Sequence, residues 1–223
     1  MICSILDIFK IGISPSSSHT MGPMVAAKTF VNELVRRELL IPTASITTEL
    51  FGSLGLTGLG HQTHRAVMLG LSGEEPASAL PERCASLLDS VRKTSRLKIL
   101  DRHEIPFDAD LHLHFHQRRS LPLHSNGLRF TSTGSDGATL LSKDFYSIGG
   151  SFVVCADDWS ATDSETGSVA VPLPFESAQM LLTRCRENAM SEWCEGGYAP
   201  ALKTGLRRLA HYLIYRCAAK CTA

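Results

Sequence analysis

The 223 residues carry 22 Lys and Arg against 22 Asp and Glu, a formal net charge of zero, with 43% hydrophobic and 20% charged residues. That is a globular balance in a chain long enough to bury a core without a metal or disulfide. It argues against a polybasic nucleic-acid binder, whose affinity comes from neutralising phosphates, while leaving room for a local anion site.

No apolar run approaches the roughly 20 residues of a membrane helix. Met1–Ser14, interrupted by Asp7 and Lys10, lacks a small-residue cleavage site and does not read as a signal peptide. The seven cysteines (Cys3, Cys84, Cys155, Cys185, Cys194, Cys217 and Cys221) form no C-x-x-C pair. An odd, scattered set fits a reducing cytoplasm better than a disulfide framework.

In chain order, residues 1–13 alternate loosely and Ser14-Pro15-Ser16-Ser17-Ser18-His19-Thr20 is a loop by composition. Gly22-Pro23 starts a helix, with Met24, Ala27, Val31, Leu34 and Val35 at helical spacing to about Leu40. Ile46, Thr48 and Leu50 alternate as a strand, and Gly52, Gly55, Gly58 and Gly60 punctuate a loop to His61, where a second helix runs to Leu71. Residues 86–99 read as a short helix, and His112, His114 and His116 alternate with Leu111, Leu113 and Phe115 as on a strand. A hairpin joins Leu128–Thr133 to Thr139–Phe145 around Gly134-Ser135-Asp136-Gly137, and Phe152-Val153-Val154 is a further strand. Residues 157–169 read as a surface loop and Phe175–Met190 as a helix. The order predicts an α+β domain with a mixed, largely antiparallel sheet and helices packed on it.

Two loops could carry chemistry. Ser16 to Thr20 offers hydroxyls and an imidazole ahead of a helix, where backbone N–H groups favour an anion such as a carboxylate; the same residues also suit a plain helix cap. The Gly52–Gly60 loop fails a dinucleotide fingerprint, because Thr63 stands at the third glycine position and no Walker lysine is present. Its better reading is a close-approach loop that sets His61 at a helix N-terminus, where a neutral imidazole serves as base or ligand. His112, His114 and His116 lack a neighbouring carboxylate or cysteine and read as a solvated strand face, and Cys217 with Cys221 do not make a metal site. His124, in a turn, is either functional or merely exposed. No G-x-S-x-G elbow occurs.

The stretch Ile8-Phe9-Lys10-Ile11-Gly12-Ile13-Ser14-Pro15-Ser16-Ser17-Ser18-His19-Thr20-Met21-Gly22-Pro23-Met24 resembles the opening of bacterial iron–sulfur L-serine dehydratases. Four further stretches resemble the same family in the same order. They are Leu50-Phe51-Gly52-Ser53-Leu54 with Leu56-Thr57-Gly58-Leu59-Gly60-His61, then Leu121-Pro122-Leu123-His124-Ser125-Asn126-Gly127, Phe145-Tyr146-Ser147-Ile148-Gly149-Gly150 and Pro172-Leu173-Pro174-Phe175.

The resemblance covers about residues 2–192 and implies that residues 1–192 are the family's N-terminal β domain. It implies a lyase, L-serine ammonia-lyase, that turns L-serine into pyruvate and ammonia in amino-acid degradation and gluconeogenesis. The cofactor would be a 4Fe–4S cluster held by cysteines of a following α domain, with no pyridoxal group; the complete enzyme would be a homo-oligomer. Ser16, Ser17, Ser18, His19 and Thr20 would hold the substrate carboxylate, His61 would be the catalytic or substrate-orienting imidazole, and His124 and Asn126 would line the same pocket. Departures from the family's pattern are Leu59 for Lys, His64 for Asp, and Ser14 and Ser151 for Gly. Residues 193–223, with Glu195 as their only acidic residue, form an atypical tail that does not resemble the α domain. The expectation is a truncated or split β portion served by a separate α chain. A non-catalytic small-molecule-binding domain and an inactive remnant are the other readings.

Overall fold

The computed structural model describes residues 12–14, 16–150 and 152–159, together with the helical positions Gln179, Met180, Thr183 and Glu187. The chain divides into two units, Gly12–Ser160 and a second made of Met1–Ile11 with Ala161–Ala223. The loose alternation of residues 1–11, Ser151, the Pro172–Phe175 motif, most of the 157–169 loop and the tail from 193 lie outside the described residues. So does most of the Phe175–Met190 helix.

The first unit opens on a π-helical turn, Ser17–Met21, which runs directly into α1 (Gly22–Arg36). Pro23 sits in the first turn of α1, where its missing N–H costs nothing, and Met24, Ala27, Phe30, Val31 and Leu34 make one buried face. Burial of each large apolar side chain there contributes about 1.5–3 kcal/mol. The helix ends at Arg37, and Glu38 turns the chain with a positive φ of 60°.

Next come β1 (Ser45–Phe51), α2 (Gly52–Thr57), α3 (Thr63–Leu71) and α4 (Pro81–Thr94). They are followed by β2 (Arg96–Ile99), β3 (His103–Pro106), the single turn α5 (Ala109–His112) and β4 (Leu113–His116). The unit closes with β5 (Asn126–Thr133), β6 (Thr139–Gly149), β7 (Phe152–Cys155) and a 3-10 turn at Ala156–Asp158. Five strands form one sheet in the order β4-β1-β5-β6-β7, while β2 and β3 pair separately. Only β1 and β4 run parallel; β1–β5, β5–β6, β6–β7 and β2–β3 are antiparallel. This is the α+β class with a mixed, largely antiparallel sheet.

Period-two alternation sends Ile46, Thr48 and Leu50 of β1 and Leu128, Phe130 and Ser132 of β5 to the core face. There Phe30 stacks on Phe130 at 5.3 Å between centroids, and Phe145 meets Phe130 edge-on at 5.7 Å. Gly70 lets α3 cross α1 closely, since a Cβ there would stand 2.2 Å from the Met24 carbonyl oxygen. The opposite face carries a charged row in which Glu49 lies across from Arg129, and Arg129 grips Asp144 with two bonds of 2.6 and 2.8 Å.

Several local expectations are corrected. Ser17–Thr20 are not an open loop: they belong to a π turn capped by Ser16. Gly52–Thr57 is helical, because Leu54 is pulled into the core and Gly55 packs against the His116 carbonyl at 2.4 Å to a would-be Cβ. The second helix starts at Thr63 rather than His61, the left-handed Gln62 (φ 57°) breaking the backbone between them. The helix placed at residues 86–99 runs from Pro81 to Thr94, and Ser95 (φ 51°) turns the chain into β2. His112 ends α5 instead of starting a strand, its ring Nδ1 lying 2.9 Å from the Asp108 carbonyl oxygen, while His116 pairs with Glu49 at 2.8 Å. His112 therefore leaves the strand, while His114 and His116 stay on β4 two residues apart.

Candidate functional site

Strand register sets the site at one end of the sheet: Phe51 of β1 pairs with Gly127 of β5, which pairs with Tyr146 of β6. The polar loops leaving these strands meet the π turn ahead of α1.

The turn is built by its serines. Ser16 Oγ accepts from the His19 N–H at 3.2 Å, and the Ser16 carbonyl accepts from both Thr20 and Met21 at 3.3 and 3.2 Å, the wide spacing of a π turn. The fully buried Ser147 of β6 donates its hydroxyl to the Ser18 carbonyl at 2.8 Å. Only glycine at position 22 admits that approach, because a Cβ there would lie 2.0 Å from Ser147 Oγ. Ser17 contributes its carbonyl to the Gly22 N–H.

Two reciprocal bonds staple this turn to the start of α3. Thr20 Oγ1 donates to the His61 carbonyl at 2.9 Å, and Thr63 Oγ1 donates to the His19 carbonyl at 2.5 Å. Both threonines are buried. The result is that the rings of His19 and His61 face each other, 4.9 Å between centroids and tilted by 49°.

The two imidazoles differ in surroundings. His19 is half-buried with both nitrogens engaged: Nδ1 lies 2.9 Å from Ser18 Oγ and Nε2 lies 2.9 Å from Ser53 Oγ. Burial, reinforced by the neighbouring His61, holds its pKa below the usual histidine value, with an opposing pull from the Ser53 backbone. His61 is exposed, and its ring nitrogens have no hydrogen-bond partner among the described residues.

Ser53 is itself fixed by α2. Its N–H donates to the Ser125 carbonyl at 2.9 Å, and Gly52, at φ 57°, passes so close that a Cβ would meet the Ser125 oxygen at 2.1 Å. Asn126 donates Nδ2 to the Ser147 carbonyl at 3.1 Å, while its Oδ1 is buried with no partner. His124 accepts the Asn126 N–H on Nδ1 at 3.0 Å, so its ring shapes its own turn. Ser16, Ser18, His19, Thr20 and His61 thus form one connected cluster. Asn126 joins it through Ser147, and His124 joins through Asn126.

Three members of the network escaped sequence reasoning: Ser53, Thr63 and Ser147. Ser53 and Ser147 stood inside quoted motifs without a role, and Thr63 appeared only as the residue that spoils a dinucleotide fingerprint. Of the departures, Leu59 is 59% exposed on the tip before His61. His64 is half-buried with Nδ1 lacking a partner, and burial, then the adjacent Arg65, lowers its pKa.

Among the described residues no group of three or more His, Cys, Asp or Glu could hold a metal ion. Cys84 and Cys155 are free thiols, and burial pushes both pKa values up, away from the thiolate that ligates a cluster. The described residues therefore do not fit an iron–sulfur cluster. No helix among them is long and apolar enough to cross a membrane.

Residues 4–158 match the family model described as serine dehydratase beta chain. The chain is 41% identical over 191 residues to an L-serine dehydratase of Streptomyces coelicolor, an alignment covering 86% of this chain and 42% of that protein. It is 41% identical over 189 residues to L-serine dehydratase 1 of Escherichia coli, covering 84% and 41%, and 36% identical over 188 residues to the Helicobacter pylori L-serine dehydratase, covering 84% and 41%. The chain spans about two fifths of the length of these relatives. Joined to the motifs and the fold, these matches establish that the chain belongs to the serine dehydratase beta chain family.

Proposed function

We propose that this chain is the substrate-gripping portion of an L-serine dehydratase, which eliminates water from L-serine and releases pyruvate and ammonia. The observation that carries the reading is the contrast between the paired imidazoles: His19 is locked by two serine hydroxyls, and His61 stands beside it exposed and unbonded. The hydroxyls of Ser16 and Ser17 hold the substrate carboxylate as neutral donors, while Ser18 and Thr20, whose hydroxyls engage His19 and the His61 carbonyl, shape the turn around it. His61 takes the proton from Cα, and the hydroxyl leaves Cβ with the bonding electrons. The resulting enamine tautomerises to an imine and hydrolyses, with no net oxidation. His124 and Asn126 close the pocket beside Ser147, Asn126 being held there by its bond to the Ser147 carbonyl and His124 by its bond from the Asn126 N–H.

The relatives are more than twice as long as the aligned segment. Turnover accordingly requires the portion that this chain does not span, whether on a separate α chain or otherwise supplied. The 4Fe–4S cluster implied by the family resemblance belongs to that portion, since the described residues do not accommodate it. The free thiols of Cys84 and Cys155 are in keeping with action in a reducing cytoplasm.

The test is anaerobic pyruvate release from L-serine by this chain combined with the complementary portion of a related dehydratase, supplied with iron and sulfide. Turnover that needs both components supports the reading. L-serine binding with no turnover would make this a binding domain, and absence of both would overturn the assignment.

A further inference from the structure

The turn that carries His61 is closed on itself and then tied to a second segment. The Thr63 N–H donates to the Gly58 carbonyl at 2.8 Å, closing residues 58–63 into one turn, and the His61 N–H donates to the Thr57 carbonyl at 3.3 Å. The Thr63 hydroxyl then donates to the His19 carbonyl at 2.5 Å, which joins the closed turn to the serine segment. We propose that Thr63 is a positioning residue for His61: its hydroxyl fixes the turn against the His19 carbonyl and so sets the reach of the exposed imidazole toward the bound substrate. The catalytic part of this proposal rests on the reading of His61 as the base that takes the Cα proton; the placement of the two rings does not.

Thr63 stands apart because one residue makes both closures. Its main chain completes the turn and its side chain docks it, so opening of the turn and sliding of the turn past His19 are opposed at the same point. Thr63 is completely buried, whereas the exposed His61 ring has no hydrogen bond among the described residues to hold it. The ring therefore takes its place from the main chain. Glycine at position 58 is part of the fit, since a Cβ there would stand 3.0 Å from Thr63 Oγ1 and 2.2 Å from the Leu54 carbonyl oxygen.

A general base must come within hydrogen-bond reach of the proton it removes, and a misplacement of about 1 Å costs about 10²-fold in rate. Loss of the Thr63 hydroxyl is thus expected in kcat first, because that hydroxyl bonds none of the serine side chains that grip the carboxylate.

The test compares Thr63→Val, which keeps the shape and removes the hydroxyl, with Thr63→Ser, which keeps the hydroxyl. Thr43→Val controls for the loss of any buried hydroxyl: Thr43 is equally enclosed, and its 2.7 Å bonds with the Leu39 carbonyl and Ser132 Oγ involve no site residue. The first readout is the nuclear Overhauser contact between the ring protons of His19 and His61 in the full chain, assigned by its loss in His19→Asn and His61→Asn. It is expected in the wild type, Thr63→Ser and Thr43→Val, and weakened or absent in Thr63→Val. A contact of wild-type strength in Thr63→Val, or an equal loss in Thr43→Val, overturns the proposal. Thr63→Ser guards against a valine variant that does not fold: loss of the contact in a folded serine variant overturns the proposal as well.

Turnover of L-serine by the complemented enzyme supplies the second readout. In Thr63→Val kcat falls about 10²-fold while KM changes less, Thr63→Ser recovers most of the loss, and Thr43→Val keeps the wild-type kcat. An unchanged kcat in Thr63→Val, or a fall matched by Thr43→Val, overturns the catalytic part. Absence of turnover in the complemented wild type overturns the dehydratase reading and the catalytic part with it, while the ring contact still decides the placement.

Discussion

His19 and His61 hold each other's backbone through their neighbours: Thr20 donates to the His61 carbonyl at 2.9 Å and Thr63 donates to the His19 carbonyl at 2.5 Å. This exchange sets the two rings side by side, 4.9 Å between centroids and tilted by 49°, without using a ring nitrogen of either. The main chain therefore supplies the geometry, and the two imidazoles are left to differ in chemistry.

Substituting the His61 ring separates these parts. His61→Asn keeps the backbone carbonyl that Thr20 bonds and removes only an exposed side chain. Stability is expected to stay within about 0.5 kcal/mol of wild type by urea titration. Pyruvate release in the complemented enzyme falls by about 10²- to 10⁴-fold, the range for loss of a general base.

Acid weakens the fold through the buried imidazoles. His19 and His64 both have pKa values lowered from 6.5 by burial first, with His61 and Arg65 respectively as second causes. The unfolded chain thus binds more protons than the folded one once the pH falls to about 6.5, so stability is fully present above that value and is lost as pH drops through the folded pKa values. Urea midpoints measured between about pH 8 and pH 5 should decline on the acid side, and less steeply in His19→Gln. A decline of equal slope in that variant would remove His19 from the account.

The crossing of α1 and α3 tolerates no side chain at position 70. Gly70→Ala brings a Cβ to 2.2 Å from the Met24 carbonyl oxygen and 2.8 Å from Ala27 Cβ. A loss of about 1–3 kcal/mol is expected in chemical denaturation. Gly60→Ala, whose nearest neighbour is the Thr57 carbonyl oxygen at 3.5 Å, serves as the contrast and stays within about 0.5 kcal/mol.

Ser147 joins sheet to loop. Ser147→Ala strips the part-buried Ser18 carbonyl of its hydroxyl donor at 2.8 Å and is expected to lower stability by about 1–3 kcal/mol. In the complemented enzyme KM for L-serine rises more than kcat falls, because the loop that grips the carboxylate loosens while His61 is untouched. A fall in kcat alone would place Ser147 in the chemistry instead.

Much of this protein is determined locally. The spacing of Met24, Ala27, Val31 and Leu34 specifies a helix with one buried stripe, and the alternation of Ile46, Thr48 and Leu50 specifies a strand with one buried face, because side-chain periodicity is a property of the backbone itself. The serine loop, His61 and the Asn126 turn were also legible as motifs. Tertiary structure decided what those motifs do. Gly52–Thr57 became a helix once burial of Leu54 outweighed the preference of Gly52 and Gly55 for a loop, and His112 left the strand for a turn closed on Asp108. The distinction between His19 and His61 arises only when Ser53 arrives from α2 and Ser147 from β6, since hydrogen bonds between residues distant in sequence leave no local pattern to read.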